Sequence, residues 1–515
     1  MQNFTIQTKR NLALSIFLSS LTVFLLFIWQ GNKGFNLGDE GFLWYGAQRV
    51  MLGEVPIRDF MAYDPGRYYW SAALMDVLGD NGIMSLRISV AIFQVLGLCT
   101  GLFLIARSLK RPNALYVLLS CLILVTWMYP RHKLFDISLS LFIIGALTAL
   151  IENPTNKRFF ITGLCIGLIA IFGRNHGVYA VFGSFGAMAW LNIKKDQNID
   201  FLRNFAWWLL GIIAGFLPLI LMAIFIPGFA LAFLESIRFL FEIKSTNLTI
   251  PIPWPWLTQF DSANWGESLK NSFIGLFFIA IATFGVISVL WIFWLKFKNR
   301  ALPPVFIAAS LMTLPYAQFA YSRADINHLA QGIFPFLMGI LILISMQSAK
   351  VKWLAVAILL AGGFTVMLPV SPGWQCFKYK QCVAVNISKN ELEVDPDTAT
   401  SIVLLRKLAD KYTPHNQNFI AAPHWPGAYA LLDRKSPVWE IYALFPRSKQ
   451  FERAEIDRIK KTNPQFAFIL DIPLDGQDAL RFRNTHPLIN QYIIDNFEPI
   501  SISANPVYLI YKAKE

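Results

Sequence analysis

Long apolar runs recur along the first 370 positions of the chain, separated by polar connections, and then stop. A helix needs about 20 apolar residues to cross the hydrocarbon core of a bilayer. Counting such runs predicts eleven spans, near 11–30, 84–106, 113–129, 134–151, 159–172, 177–192, 205–226, 270–295, 302–320, 329–347 and 353–370. Two connections are long, about 31–83 and 227–269. Beyond Pro369 the pattern is that of a soluble domain, with an amphipathic helix expected over 398–413, buried strands over 417–422 and 465–471, a helix over 455–462 and a closing strand over 506–512. Alternating helix and strand predict a small α/β domain. The chain thus divides into a transmembrane part, 1–370, and a C-terminal α/β part, 371–515.

Composition agrees with this class. Of 515 residues, 55% are hydrophobic and 15% charged, and the mean hydropathy is +0.47, which fits a polytopic α-helical membrane protein and not a soluble multidomain one. Lys9 and Arg10, Arg107, Lys110 and Arg111, Lys157 and Arg158, Lys194, Lys195 and Arg203, Lys296, Lys298 and Arg300, and Lys350 and Lys352 fall in alternate connections. Basic loops stay inside. The N-terminus is therefore expected in the cytoplasm, and the 31–83 loop and C-terminal domain outside. The net charge of +13 then reflects topology and not a nucleic-acid partner. The first apolar run lacks a convincing small-residue cleavage site and is read as an uncleaved span. With no ER-retention or targeting signal, a bacterial inner membrane is the preferred location.

Cys99, Cys121 and Cys165 lie in apolar runs, where a thiol acts as a small hydrophobe. Cys376 and Cys382 lie in a polar segment; their spacing is no metal signature, and outside the cell it would suit a local disulfide.

The 31–83 connection concentrates the chemistry. It holds Gly38-Asp39-Glu40-Gly41, the aromatics Phe42, Trp44 and Tyr45, then Arg58-Asp59-Phe60 and Asp64-Pro65-Gly66-Arg67-Tyr68-Tyr69-Trp70. The plain structural account is that Asp39 N-caps a helix starting near Glu40, whose charge complements the helix dipole. In the second long loop, Pro251-Ile252-Pro253-Trp254-Pro255-Trp256 cannot continue a helix. It reads as a headgroup-level anchor, or as a loop covering a lipid substrate. Three short outer connections carry cations against the topological trend: Arg131-His132-Lys133, Arg174-Asn175-His176 and Arg323-Ala324-Asp325-Ile326-Asn327-His328. Snorkelling, or pairing with Asp136 and Asp325, accounts for each one singly. Three on one face suit a phosphate at the outer headgroup level. His415, His424 and His486 are isolated and read as packing or surface residues.

The order Asp39-Glu40, a short aromatic helix, Gly53, Pro56-Ile57-Arg58-Asp59, Pro65-Gly66 and Tyr68-Tyr69 resembles the first external loop of the family 39-like, GT-C-fold glycosyltransferases. That group includes protein O-mannosyltransferases and the aminoarabinose transferases of lipid A. The likeness is good over residues 36–90, looser over the remaining spans and architectural beyond. It implies transfer of a sugar from a polyprenyl-phosphate carrier to an acceptor on the outer face of the membrane. It further implies Asp39 as the catalytic base, with Glu40 orienting the acceptor or structural. Arg323 and His328, joined by Arg131, Lys133, Arg174 and His176, are expected at the donor phosphate, and Arg58, Asp59, Asp64 and Tyr68 at the acceptor or sugar. No cofactor is expected. A divalent ion occurs in relatives of the wider fold, but here no ligand cluster stands out.

The expected partners are membrane lipids, a lipid-linked sugar, and a glycolipid, polymer or protein acceptor. A flippase of the same lipid-linked saccharide is the alternative, although no paired repeat or midplane polar group supports it. A scaffold without enzymatic activity would leave the acidic loop and the outer cations with no shared purpose.

Overall fold

The computed structural model describes residues 2–193, 200–244, 247–261, 263–379, 382–500 and 507–514. Lys194 and Lys195 of one basic connection, and Pro506 at the start of the expected last strand, lie outside the described residues. Each of the eleven apolar runs forms helix. Among the described residues six helices are long and apolar enough to cross a membrane, and a bent pair, Ile326–Gly332 with Phe334–Ser345, makes up to seven. The 54° bend falls where Pro335 removes a backbone donor. The other four runs give shorter or less uniformly apolar helices. The chain is a polytopic helical membrane protein with a C-terminal domain containing a small sheet.

Two compact units are present. The first comprises Met1–Gly31, Ile88–Ile226 and Ser245–Gln375 and holds most of the apolar helices. Phe24, Ile28, Leu210, Phe225, Leu290 and Leu354 are exposed on them, as lipid-facing side chains are. Helices Asn156–Phe172 and Phe201–Phe225 approach closely through glycines four apart on each. A Cβ on Gly163 would sit 2.0 Å from the Trp208 carbonyl oxygen, and one on Gly211 2.1 Å from that of Phe160. Gly167 and Gly215 repeat the contact one turn on. With no hydrophobic force between helices in lipid, such close approach supplies the packing that holds them. The Pro-Trp loop lies equally close to helix Trp265–Phe297, since a Cβ on Gly275 would meet the Pro253 carbonyl oxygen at 2.2 Å. Trp254 and Trp256 stack on each other at 5.2 Å.

The second unit joins Asn32–Arg87 and Pro227–Lys244 to Cys376–Glu515. Its strands are β1 (Val383–Ile387), β2 (Asn390–Val394), β3 (Ile420–Ala422), β4 (Phe466–Leu470), β5 (Phe497–Pro499) and β6 (Tyr508–Ala513). β1 and β2 form a hairpin; the other four lie in the order β3-β4-β6-β5, with β3 parallel to β4 and the remaining pairs antiparallel. Ile420, Ile459, Ile469, Phe482, Ile489 and Ile493 fill the core beneath this sheet. The expected helix over 398–413 is Pro396–Tyr412, N-capped by Asp395, and that over 455–462 is the end of Lys449–Thr462. The β1–β2 hairpin and helices Pro426–Leu432 and Pro487–Asn496 add to the elements expected from the sequence. Cys376 and Cys382 form a disulfide.

The 31–83 segment is built into this unit. Lys33 and Gly34 lie along β2, where Gly34 N–H donates to the Glu393 carbonyl (2.7 Å) and Glu393 N–H to that of Asn32 (2.9 Å). Gly427 N–H donates to the Leu37 carbonyl, Met61 N–H to that of Trp439, and the Trp439 indole to that of Ile57. Helices Asp39–Met51 and Pro426–Leu432 cross with no side chain between them, for a Cβ on Gly41 would lie 2.5 Å from Gly427 Cα.

Candidate active site

Helix Asp39–Met51 starts at Asp39, with Gly38 as its N-cap residue. Asp39 is therefore not the cap. Its own N–H is taken by the Asn36 side-chain oxygen at 2.7 Å, and its carboxylate Oδ1 accepts a 2.7 Å hydrogen bond from the Tyr442 hydroxyl. Glu40, one residue on, turns inward. Arg87 grips it in a bidentate pair, Nε to Oε1 at 2.8 Å and Nη2 to Oε2 at 2.7 Å, and also donates to the Gly34 carbonyl. The Arg87 side chain is 1% exposed and that of Glu40 8%, so each charge depends on the other. An Arg inside an apolar run must have a partner, and that was the available signal for Arg87.

The remaining candidates of this segment are placed as follows. Arg58 and Asp59 pair with each other at 2.8 Å, and Asp59 also accepts the Val55 N–H. Burial raises the Asp59 pKa, but the Arg58 and Val55 hydrogen bonds outweigh it and hold the carboxyl below its usual value. Asp64 is the buried N-cap residue of helix Pro65–Val77, and Arg67 is buried with its guanidinium over the Tyr63 ring. Tyr68 is fully buried against Phe42 and Phe60, and its hydroxyl accepts the Tyr63 N–H. A ring enclosed in this way serves packing, and it presents no face on which a sugar could stack.

Two residues from the far end of the chain, His424 and Tyr442, reach the acid pair. Their rings lie 5.9 Å apart, and Tyr442 also packs on Phe42 at 5.3 Å. The His424 carbonyl oxygen sits under Gly38, 3.0 Å from where a Cβ would be. Burial lowers the pKa of the His424 imidazole, and the attraction of the nearby Asp39 carboxylate only partly offsets this. His424 thus takes a packing position, as one of the alternatives expected for it, and that position lies in the surroundings of Asp39. His486 is buried and bonded to Glu440 at 2.9 Å. No local pattern announces Tyr442, which is 403 positions from Asp39.

In the first unit the cations of the three short connections form two linked groups. Arg323 Nε donates to Asp325 Oδ2 at 2.8 Å, and Asp325 Oδ1 accepts from both the backbone N–H and Nδ1 of His328. Asp325 is the N-cap of helix Ile326–Gly332, which explains the Arg-x-Asp-x-x-His spacing. Its burial raises the pKa, but hydrogen bonds and charge from His328, with Arg323, hold it below the usual carboxylate range. Arg323 also donates to the Leu248 carbonyl, and Asn247 to Ser322, so the second long loop is tied to this element. In the other group, buried Asp136 lies 3.2 Å from His176 Nε2 and 4.0 Å from Lys133 Nζ, while His176 Nδ1 meets the Tyr316 hydroxyl at 2.9 Å. Phe319 links the groups, with the His176 and His328 rings 5.5 and 5.4 Å from its own. Arg131 donates to the Gln30 carbonyl, and Arg174 opens helix Arg174–Asn192 half-buried. Among the described residues no three His, Cys, Asp or Glu side chains gather to hold a metal ion.

The helices, the long acid-bearing segment and the C-terminal sheet define a membrane protein with the GT-C fold expected from the sequence. The chain is similar to ArnT of Cupriavidus metallidurans. Against the crystal structure of that protein bound to undecaprenyl phosphate, identity is 11% and the TM-score 0.55, over 96% of this chain and 97% of the other. Against its apo structure the values are 10% and 0.54, over the same shares. At this identity the likeness is one of fold. No protein-family model matches the sequence, and no curated protein matches it.

Proposed function

We propose that the chain is an integral-membrane glycosyltransferase that moves a sugar from a polyprenyl-phosphate donor to a glycolipid, polymer or protein acceptor on the outer face of a bacterial inner membrane. The observation that carries this reading is the Asp39 carboxylate. It stands at the first turn of a helix and is held by a phenol, while its neighbour Glu40 is consumed by Arg87. A carboxylate held in a fixed direction at a helix start suits a general base. Asp39 takes the proton from the acceptor hydroxyl or amine as that atom bonds to the anomeric carbon. The bond from that carbon to the phosphate oxygen breaks, and the carrier phosphate leaves with the electron pair. Arg323 and His328, with His176 and Lys133, are the groups suited to bind that phosphate and the charge it gains. The disulfide between Cys376 and Cys382 supports a C-terminal domain in an oxidising compartment, and so a cytoplasmic N-terminus.

The test is transfer of radiolabelled sugar from membrane polyprenyl-phosphate pools by the native chain and by Asp39→Asn at equal expression. Transfer by the native chain alone supports both the class and the base. Equal transfer by both would remove Asp39 from the chemistry. A native chain that consumes no lipid-linked sugar but moves one across a vesicle membrane would overturn the enzyme reading in favour of a flippase.

A further inference from the structure

Tyr442 and His424 belong to the C-terminal domain, yet both are fixed in place beside Asp39. Residues 436–447 have no regular secondary structure, and their position is set by buried carboxylates. Glu455 accepts the N–H groups of Trp439 and Glu440. Glu440 in turn is held between Arg447, at 2.6 Å, and His486, at 2.9 Å. Ala443 N–H donates to the Pro423 carbonyl at 2.7 Å, which ties the strand end carrying His424 to the segment carrying Tyr442. A loop anchored this heavily on both sides of Tyr442 delivers one hydroxyl, and that hydroxyl donates to Asp39.

We propose that Tyr442 is a positioning residue for the base, so that the C-terminal domain completes the catalytic centre as well as lying beside it. This inference rests on Asp39 being the base. A hydroxyl donating to the ionised form favours it, so Tyr442 stabilises the charged carboxylate and fixes its direction. Two further titratable groups lie near Asp39. Glu40 is neutralised by Arg87, and His424 has a buried Nδ1 without a hydrogen-bond partner. Its burial favours the neutral imidazole, which does not compete with the acceptor's proton for the carboxylate. The start of the helix adds the positive end of its dipole, which acts in the same direction as the phenol.

The experiment compares Tyr442→Phe, Asp39→Asn and the double variant in the transfer assay, with pH–rate profiles for the native protein and Tyr442→Phe. The phenylalanine keeps the ring contacts with Phe42 and His424, and thermal denaturation of each variant checks the fold. We expect Tyr442→Phe to lower kcat roughly tenfold with the acceptor KM little changed, and to move the acidic limb of the profile to higher pH, because the carboxylate loses a donor to its charged form. Added to Asp39→Asn, the change should cost nothing further, as for two groups acting as a unit. Unchanged kcat and acidic limb in Tyr442→Phe, with Asp39→Asn inactive, would overturn this inference and leave the base standing. An additive loss in the double variant would also overturn it. Full activity of Asp39→Asn would instead defeat the underlying reading.

Discussion

Asp39 and Glu40 are adjacent acids at the start of one helix, and they have been given opposite surroundings. Glu40 is sealed in with a bidentate arginine, and its charge is spent on holding the segment to the residues after it. Asp39 accepts a hydrogen bond from a phenol, at the start of a helix and near the His424 imidazole. The difference teaches that an acidic pair need not act as a pair. One member is spent on structure, and the other is the one the proposed chemistry uses.

The largest expected effect falls on the Asp39 side. Asp39→Asn should lower transfer by about 10²- to 10⁴-fold, the range for a general base, while its thermal midpoint stays within a degree or two of native. Glu40→Gln should do the reverse. It takes the carboxylate charge from a buried bidentate pair, which costs about 3–5 kcal/mol of stability, read as an early thermal midpoint in detergent. Replacing both members together, Glu40→Leu with Arg87→Met, should recover most of that loss. Recovery would show that the pair is structural; a stable but inactive double variant would give Glu40 a part in the chemistry.

The comparison can be carried to the cations of the other unit. Removing Arg323 deletes a charge-assisted contact of about 1.5–3 kcal/mol, so Arg323→Ala should raise the KM for the lipid donor roughly ten- to a hundredfold with the fold intact. The smallest effect is on acid stability. The pKa of Asp325 is held below its unfolded value, so its contribution is fully present above about pH 4 and is lost as pH falls through the lower folded value. Asp325→Asn should therefore flatten the acid limb of a stability–pH curve and leave the region above pH 5 parallel to native.

What the sequence made legible follows from how far its signals reach. Apolar runs and turn residues act locally, and the helices at 84–106 and 134–151 and the strand at 465–471 fall within a few residues of their expected places. The cations at 176 and 323–328 were conspicuous because they oppose the expected topology, although the central place of Asp325, cap and counter-charge at once, needs the helix start to be seen. The Gly163–Gly211 contact has a local spacing on each helix but depends on which helices meet. Tyr442 and His424 carry no periodicity at all. They reach Asp39 because Gly41 and Gly427 let two helices touch, a coincidence of two small residues in distant segments that no single window of sequence contains. The docking of the 31–83 segment onto the C-terminal domain was missed for the same reason.

The strand-like pairing of Lys33 and Gly34 with β2, and the hydroxyl that reaches Asp39 from Tyr442, set an order of events in time. The acid-bearing segment is made before its partners: Glu393 follows Lys33 by 360 residues, and Tyr442 follows Asp39 by 403. At roughly 5–20 residues per second, ribosomal synthesis takes about 20–80 s to cover that distance. Throughout that interval Phe42, Tyr45 and Phe60 wait without the surfaces that will bury them, and the nascent protein lacks the hydroxyl that orients its carboxylate until Tyr442 has been added.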